Sequence, residues 1–289
     1  MAPRLYVPVP LHAGQRLALP DGAARHVQVL RLQPGQPVTL FDGSADAEWP
    51  AEIVAIGKRS VEVAVGAPLP VDRELALRVG LAIGMPANER MDALVEKAVE
   101  LGAASIEPLV CARSVVRLAG ERAQARQRHW ARVAEAACEQ CGRVRVPAVA
   151  LPLKLDAWLR RFEPGAPGSP PVRIVLSLHR DAVAPAALDL ASGAGTAVRT
   201  GAGAALRADT AARVPPGAAA PLDVVVLSGP EGGLAPEEEA AAVGRGFVRV
   251  SLGPRVLRAD TAPLAWLAWL AGAAAGDRAD RARQGGERA

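Results

Sequence analysis

From Leu75 onward the chain alternates between two periodicities, and few folds accommodate that. Leu75–Ile83 is an apolar run with one Arg in it, and Ser105–Val110 is again strand-like. Between them Met91, Leu94, Val95, Ala98 and Val99 recur at helical spacing, with Asn88 placed to cap and Gly102 to stop the helix. Glu121–Cys141 reads as a second helix, with Trp130, Val133, Ala134, Ala137, Cys138 and Cys141 on one stripe and Gly142 after its end. Three further apolar strands follow, Arg173–Leu178, Asp223–Ser228 and Phe247–Leu252. A helix separates the last two and another closes the chain. Strands alternating with helices bury their faces best as a largely parallel sheet covered by helices, so this part is expected to be an α/β domain.

The first 72 residues obey a different rule. Arg4–Val9, Val38–Phe41, Ala51–Ile56 and Ser60–Val65 are short apolar or alternating segments, separated by turn sequences such as Pro34-Gly35 and Asp42-Gly43-Ser44. They predict a small β-barrel ending near Pro70, with His26–Leu32 inside it. A length of 289 residues suits two domains, here 1–72 and 73–276. Ala182–Pro221 is Ala/Gly/Pro-rich with almost no periodicity, which predicts an extended surface insertion over 182–221. Residues 277–289 form a charged tail expected to be disordered.

Composition closes off several classes of function. The longest apolar run, Ala262 to Gly276, is short of the roughly 18 residues that a membrane span needs. Three Cys, an odd number, and no secretory signal point to a reducing cytosol, so the expected location is cytoplasmic. Cys138 and Cys141 form a C-x-x-C, but a metal site needs about four ligands, and small buried thiols are the simpler reading. No metal is expected. The net charge of +4 is unevenly spread: residues 1–72 hold six basic groups against seven acids, whereas 111–147 hold eight Arg against three Glu. An anionic partner would find the second segment first.

Two loops stand where chemistry is expected, each between a strand and a helix. Ser228-Gly229-Pro230-Glu231-Gly232-Gly233-Leu234 lets a ligand approach the main chain closely, and Pro236 with Glu237, Glu238 and Glu239 suits a helix start. It lacks the Lys and Ser/Thr of a P-loop, and the dinucleotide fingerprint G-x-G-x-x-G is absent. Glu231 within the loop disfavours a polyphosphate and suits a cationic or neutral ligand. A plain strand-to-helix turn would account for the same composition. The second loop, Leu252-Gly253-Pro254-Arg255-Val256-Leu257-Arg258-Ala259-Asp260-Thr261, places two Arg around two apolar residues, with Asp260 or Thr261 as N-cap. One Arg could meet an RNA phosphate while the other orders the loop or orients a base; surface solvation would explain them as well. Glu139-Gln140-Cys141-Gly142-Arg143 ends the Trp130 helix, where Gln140 and Arg143 could edge a site.

Taken in order, these pieces resemble one family. They are Arg4-Leu5-Tyr6, His26 to Leu32 with Pro34-Gly35, Leu40 to Ser44, Glu89 to Asp92, Glu96 to Gly102, Arg113-Ser114-Val115, His129-Trp130, Ala136 to Arg143, Gly229 to Leu234 and Leu252 to Arg258. The chain is similar to the ribosomal RNA small subunit methyltransferase E family of the SPOUT class. The resemblance implies an N-terminal PUA-like β-barrel that binds RNA and a C-terminal SPOUT α/β domain with a trefoil knot. It implies a homodimer, S-adenosyl-L-methionine as cofactor, and N3 of uridine 1498 in 16S ribosomal RNA, within the 30S subunit, as methyl acceptor. By the same resemblance Leu178, Ser228, Gly229, Pro230, Glu231, Gly232, Gly233, Leu252, Gly253, Pro254, Val256 and Leu257 hold the cofactor. Arg255, Arg258 and Glu231 are the catalytic candidates. Arg4, Arg25, His26, Arg31, Arg113, Gln140 and Arg143 are the RNA-binding ones. The family pattern has Thr-Glu where this chain has Ala259 and Asp260. Two other readings compete: a SPOUT methyltransferase for another RNA site, and a non-catalytic RNA-binding or ribosome-assembly factor.

Overall fold

The computed structural model describes residues 2–87, 90–162, 171–189, 197–198 and 223–286. In chain order the elements are β1 (Arg4–Tyr6), β2 (Arg16–Ala18), α1 (Asp21–Val29), β3 (Pro37–Phe41), β4 (Ala47–Ile56), β5 (Val61–Val65), β6 (Leu69–Pro70), β7 (Val79–Gly84), α2 (Arg90–Glu100), β8 (Ser105–Val110) and α3 (Gly120–Cys141). Then come β9 (Ala148–Val149), β10 (Leu153–Lys154), α4 (Leu155–Leu159), β11 (Val172–Leu176), β12 (Leu188–Asp189), β13 (Ala197–Val198), β14 (Val224–Ser228), α5 (Pro236–Gly244), β15 (Val248–Val250) and α6 (Thr261–Gly286). They form two compact units, one built from Met1–Glu74 with Glu135–Val146, the other from Leu75–Ala134 and most of the chain after Pro147.

The first unit is a β-sheet of order β1-β3-β4-β5-β2, with β6 on β4. Alternation does the folding: Val61, Val63 and Val65 of β5 point into the core while Glu62 faces out. β1 stops at Tyr6 instead of running to Val9, because Pro8 and Pro10 have no N–H to give a ladder; Val7 makes the last bond, to the Phe41 carbonyl at 3.0 Å. The segment around His26 is the end of helix α1, which buries Ala23, Ala24 and Val27 against the strands. The last turns of α3 belong to this unit, and the Tyr6 N–H donates to Glu139 Oε1 at 2.9 Å.

The second unit is the expected parallel sheet, of order β10-β8-β7-β14-β11-β15, with β9 also on β8. β14 enters late and takes the place between β7 and β11, parallel to both, with all five of its residues buried. Burial on both faces is why Val224–Leu227 reads as an unbroken apolar run. β7 starts at Val79 instead of Leu75; the Arg78 N–H is engaged by the Asp223 carboxylate at 2.7 Å, which fixes the strand's entry. Trp158, Phe162 and Phe247 pack as a cluster of rings 4.7 to 5.6 Å apart on one face. From β15 at the sheet edge the chain returns to α6, which packs against α2 and β14 and buries Trp266, Leu267 and Leu270. α6 continues to Gly286, past Gly276 where the sequence suggested its end; the stretch after Ala273 carries Ala and Arg, which favour helix, between its Gly and Asp residues. Of the insertion expected over 182–221, 190–196 and 199–221 lie outside the described residues, as do Asn88 and Glu89; Leu188–Asp189 pairs antiparallel with Ala197–Val198. No helix among the described residues is long and apolar enough to cross a membrane.

Candidate active site

In parallel sheets ligands gather beyond the carboxyl ends of the strands, where the connections splay apart. Here β14, β11 and β15 are neighbours, and beyond their ends lies a cavity of about 640 Å³. Leu176 to His179 leave β11 along one wall, Ser228 to Leu234 leave β14 along another, and Leu252 with Arg255 to Ala259 come from the connection between β15 and α6. The volume lies within the roughly 300–1,000 Å³ typical of pockets for drug-sized ligands.

The Gly-rich loop is held from behind by its neighbours. A Cβ on Gly84, at the end of β7, would lie 2.5 Å from Pro230 N and Cδ, so only glycine lets the loop sit on the strand end. Gly233 N–H donates to the Pro230 carbonyl at 2.8 Å, closing a tight turn. Arg113 Nη1 donates to the Gly232 carbonyl at 3.0 Å. Glu238, in the first turn of α5, takes the Ala235 N–H at 2.9 Å through Oε2 and the Ala112 N–H at 2.7 Å through Oε1. That is half of a capping box, and it also ties the helix start to the end of β8. On the second loop Gly253 has φ +110°, a conformation L side chains rarely adopt, and Ser251 Oγ bonds its carbonyl at 3.2 Å.

The charges around the cavity divide into bound and free. Glu231 Oε1 accepts the Ala87 N–H at 2.8 Å and lies 3.6 Å from Arg90 Nη1. Glu239 Oε1 accepts the Ser177 hydroxyl at 3.0 Å and Arg249 Nε at 2.5 Å. Arg255 and Arg258 are exposed, and among the described residues their guanidiniums make no hydrogen bond or ion pair. Apolar side chains belong to the lining as well: Leu178 is 62% and Val256 80% exposed.

Comparison with known proteins agrees with this architecture. Residues 73–271 match the family model described as RNA methyltransferase domain, and 19–66 match that of the RNA methyltransferase PUA domain. Ribosomal RNA small subunit methyltransferase E of Mycobacterium tuberculosis is 30% identical over 236 residues, covering 81% of this chain and 77% of that one. The protein of the same name from Bacillus subtilis is 28% identical over 239 residues and 82% of each chain. The chain belongs to the ribosomal RNA small subunit methyltransferase E family. Among solved structures, the family member from Neisseria gonorrhoeae, bound to S-adenosyl methionine, superposes with a TM-score of 0.74 at 31% identity, covering 93% of this chain and 97% of that one. A methyltransferase from Legionella pneumophila, also solved with this cofactor, gives 0.78 at 31% identity over 94% and 98% of the two chains.

Set against the family's expected site, the cavity gathers most of the residues singled out by the sequence. Leu178, Ser228 to Gly233, Leu252, Arg255, Val256, Leu257, Arg258 and Arg113 all line it; Gly253 and Pro254 do not. Ser177, His179 and Glu239 line it as well and had escaped sequence reasoning. Ala259, where the family pattern has Thr, is buried in the wall, and the neighbouring Arg258 carbonyl accepts the Thr261 and Ala262 N–H groups at 3.0 Å at the start of α6. Thr261 Oγ1 donates to Asp260 at 3.5 Å.

The expected RNA contacts divide differently. Arg25, Arg31 and Gln140 are exposed and His26 half-buried, 3.5 Å from Glu139, all in the first unit. Arg143 and Arg4 are corrected by the structure. Arg143 is 4% exposed and forks onto Glu74 with bonds of 3.1 and 2.5 Å, and Arg4 pairs with Glu48 while donating to the Arg143 carbonyl at 2.9 Å. These guanidiniums hold the end of α3 to the barrel and are not presented to a phosphate. Cys111 and Cys138 are buried, and burial pushes each thiol up to about 12; both are inert under ordinary conditions. Among the described residues no group of three or more His, Cys, Asp or Glu could hold a metal ion.

Proposed function

We propose that this chain transfers the methyl group of S-adenosylmethionine to N3 of uridine 1498 in 16S ribosomal RNA, acting as a cytoplasmic homodimer on the 30S subunit. The knot that the resemblance implies is part of this reading. The observation that carries it is the cavity beyond β14, β11 and β15, in a chain that belongs to the family along nearly its whole length.

The residues present suit such a cofactor. A Cβ on Gly233, which lines the cavity, would meet no protein atom within 4 Å, so the Gly-rich loop faces open space there that a ligand can fill. Much of the wall is loop backbone and aliphatic side chains such as Leu176, Leu178, Leu252 and Leu257, as an adenosine moiety requires. Bound there, the cofactor supplies an electrophilic methyl on sulfur, which calls for no metal and no covalent enzyme intermediate. The protein's tasks are alignment and charge. Uracil N3 carries a proton, and its loss leaves negative charge spread over the ring carbonyls. Arg255 and Arg258, which line the cavity and make no ion pair among the described residues, are placed to stabilise that charge and to hold the flanking phosphates. Leu178 and Val256 offer an apolar surface for the base and keep water from the reacting atoms.

Nucleoside analysis of 16S RNA from cells lacking the gene tests this reading directly. 3-Methyluridine is expected to disappear and to return on complementation, and its retention at full level refutes the assignment. Calorimetric titration with S-adenosylmethionine separates an enzyme, which binds it, from a scaffold, which does not.

A further inference from the structure

Glu231 is the acid that lines the cavity on the Gly-rich loop, and its position invites a role as proton acceptor. Its contacts point elsewhere. Oε1 receives the Ala87 N–H at 2.8 Å, just beyond β7, and Arg90 at the start of α2 stands 3.6 Å away. Beside it Pro230 rests on Gly84, where a Cβ would be 2.5 Å from the proline ring. On the opposite flank Arg113 and Glu238 bind the same connection to the end of β8. The ends of two strands, β7 and β8, thus converge on the loop that leaves β14, and the Glu231 carboxylate is the tie on the β7 side.

We infer that Glu231 is a positioning residue: it fixes the Gly229–Leu234 backbone at the depth the cofactor requires, and it takes no proton from the RNA base. The inference rests on the functional reading above. Glu231 Oε1 is already occupied by the Ala87 N–H and lies against the Arg90 guanidinium, so the contacts of this carboxylate are with the end of β7 and the start of α2. The wall it supports is main chain, so recognition on this side falls to peptide N–H and carbonyl groups whose placement depends on the tie. Glu231 therefore acts on cofactor affinity and leaves proton removal to other groups.

The two roles separate in kinetics. Hydrogen bonds to charged groups are worth enough that Glu231→Ala should weaken S-adenosylmethionine binding by about tenfold or more, while kcat at saturating cofactor falls by less than about threefold. Glu231→Gln keeps a carbonyl oxygen for the Ala87 N–H and should recover most of the lost affinity. Arg90→Met removes the cation alone and should fall between them. The pH profile of kcat should keep its acidic limb in all three. If Glu231→Ala does not fold, as circular dichroism would show, the other two variants decide. A loss of about a hundredfold or more in kcat for Glu231→Gln with cofactor affinity intact, or the vanishing of the acidic limb, overturns the inference in favour of proton transfer. Unaltered affinity in Glu231→Ala overturns it too. Wild-type protein that binds no S-adenosylmethionine defeats the functional reading itself, and the inference with it.

Discussion

Arg143→Met is the substitution that best separates what the sequence suggests from what the structure shows. As a phosphate contact, Arg143 could be lost with the fold intact. As placed here it is 4% exposed, and its Nε and Nη2 bind the two oxygens of Glu74 at 3.1 and 2.5 Å. Around it, Arg73 Nη1 bridges the Gly142 carbonyl and Glu48 at 2.6 Å each, and Arg4 reaches the Arg143 carbonyl at 2.9 Å. These arginines gather at the carbonyl end of α3, where the helix dipole favours cations. Breaking a fully buried ion pair costs about 3–5 kcal/mol. The Glu74 side chain keeps 22% exposure and can recover part of its hydration, which lowers the expected cost to about 2 kcal/mol. Native-state hydrogen exchange reads this locally, at Tyr6, whose N–H is bound to Glu139, and at Val7, bound to Phe41. About 2 kcal/mol predicts roughly thirtyfold faster exchange at these amides. Replacing Glu74 by Leu in the same chain should restore much of the protection, since an apolar pair leaves no stranded charge. Unchanged protection in Arg143→Met, together with weaker 16S RNA binding and a salt slope reduced by about one, would refute the clamp and restore the phosphate contact.

Gly84→Ala places a methyl group 2.5 Å from Pro230, so the Gly-rich loop must move; S-adenosylmethionine affinity should drop about tenfold or more by calorimetry, the worth of one or two backbone hydrogen bonds, with the sheet intact by circular dichroism. Arg258→Ala should lower methyl transfer by about a hundredfold while cofactor affinity stays within about threefold, and unchanged turnover removes Arg258 from the chemistry. Burial holds the Cys111 thiol at about 12, above its ordinary 9.0, so the folded state keeps a proton that the unfolded chain gives up. The stability this contributes is complete below the ordinary thiol value and is lost progressively as pH rises from 9.0 toward about 12. The urea midpoint of wild type should therefore fall more steeply than that of Cys111→Ala between neutral and strongly alkaline pH, and parallel curves would contradict it.

The parts of the molecule that the sequence reveals are those whose physics is local. β14 reads as a strand because both its faces are buried, and α3 matches its expected span to within a residue because one stripe is apolar and glycine follows its end. The two cavity loops announce themselves through Gly and Pro between strand and helix. What stays hidden depends on distant partners or on weak local signals. Helix α1 buries only Ala23, Ala24 and Val27 within nine residues that include Gly22, too little periodicity to distinguish from loop. Ser177, His179 and Glu239 reach the cavity only because β14 slots between β7 and β11 and sets three strand ends side by side.

The arginines make the limit plain. Arg4, Arg143 and Arg145 find their acids 44, 69 and 99 residues away, at Glu48, Glu74 and Asp46. A charge count along the chain therefore overstates what an RNA would meet, since a guanidinium forked onto a carboxylate has its charge offset and one edge already occupied. The eight Arg between 111 and 147 shrink as an RNA surface once Arg143 and Arg145 are subtracted. Arg255 and Arg258 gain by the same comparison. They share the exposed apolar neighbour Val256, no acid among the described residues claims them, and they line the cavity. Which arginine serves the substrate is decided by which one the fold leaves unpaired, and that is a property of topology, invisible to composition.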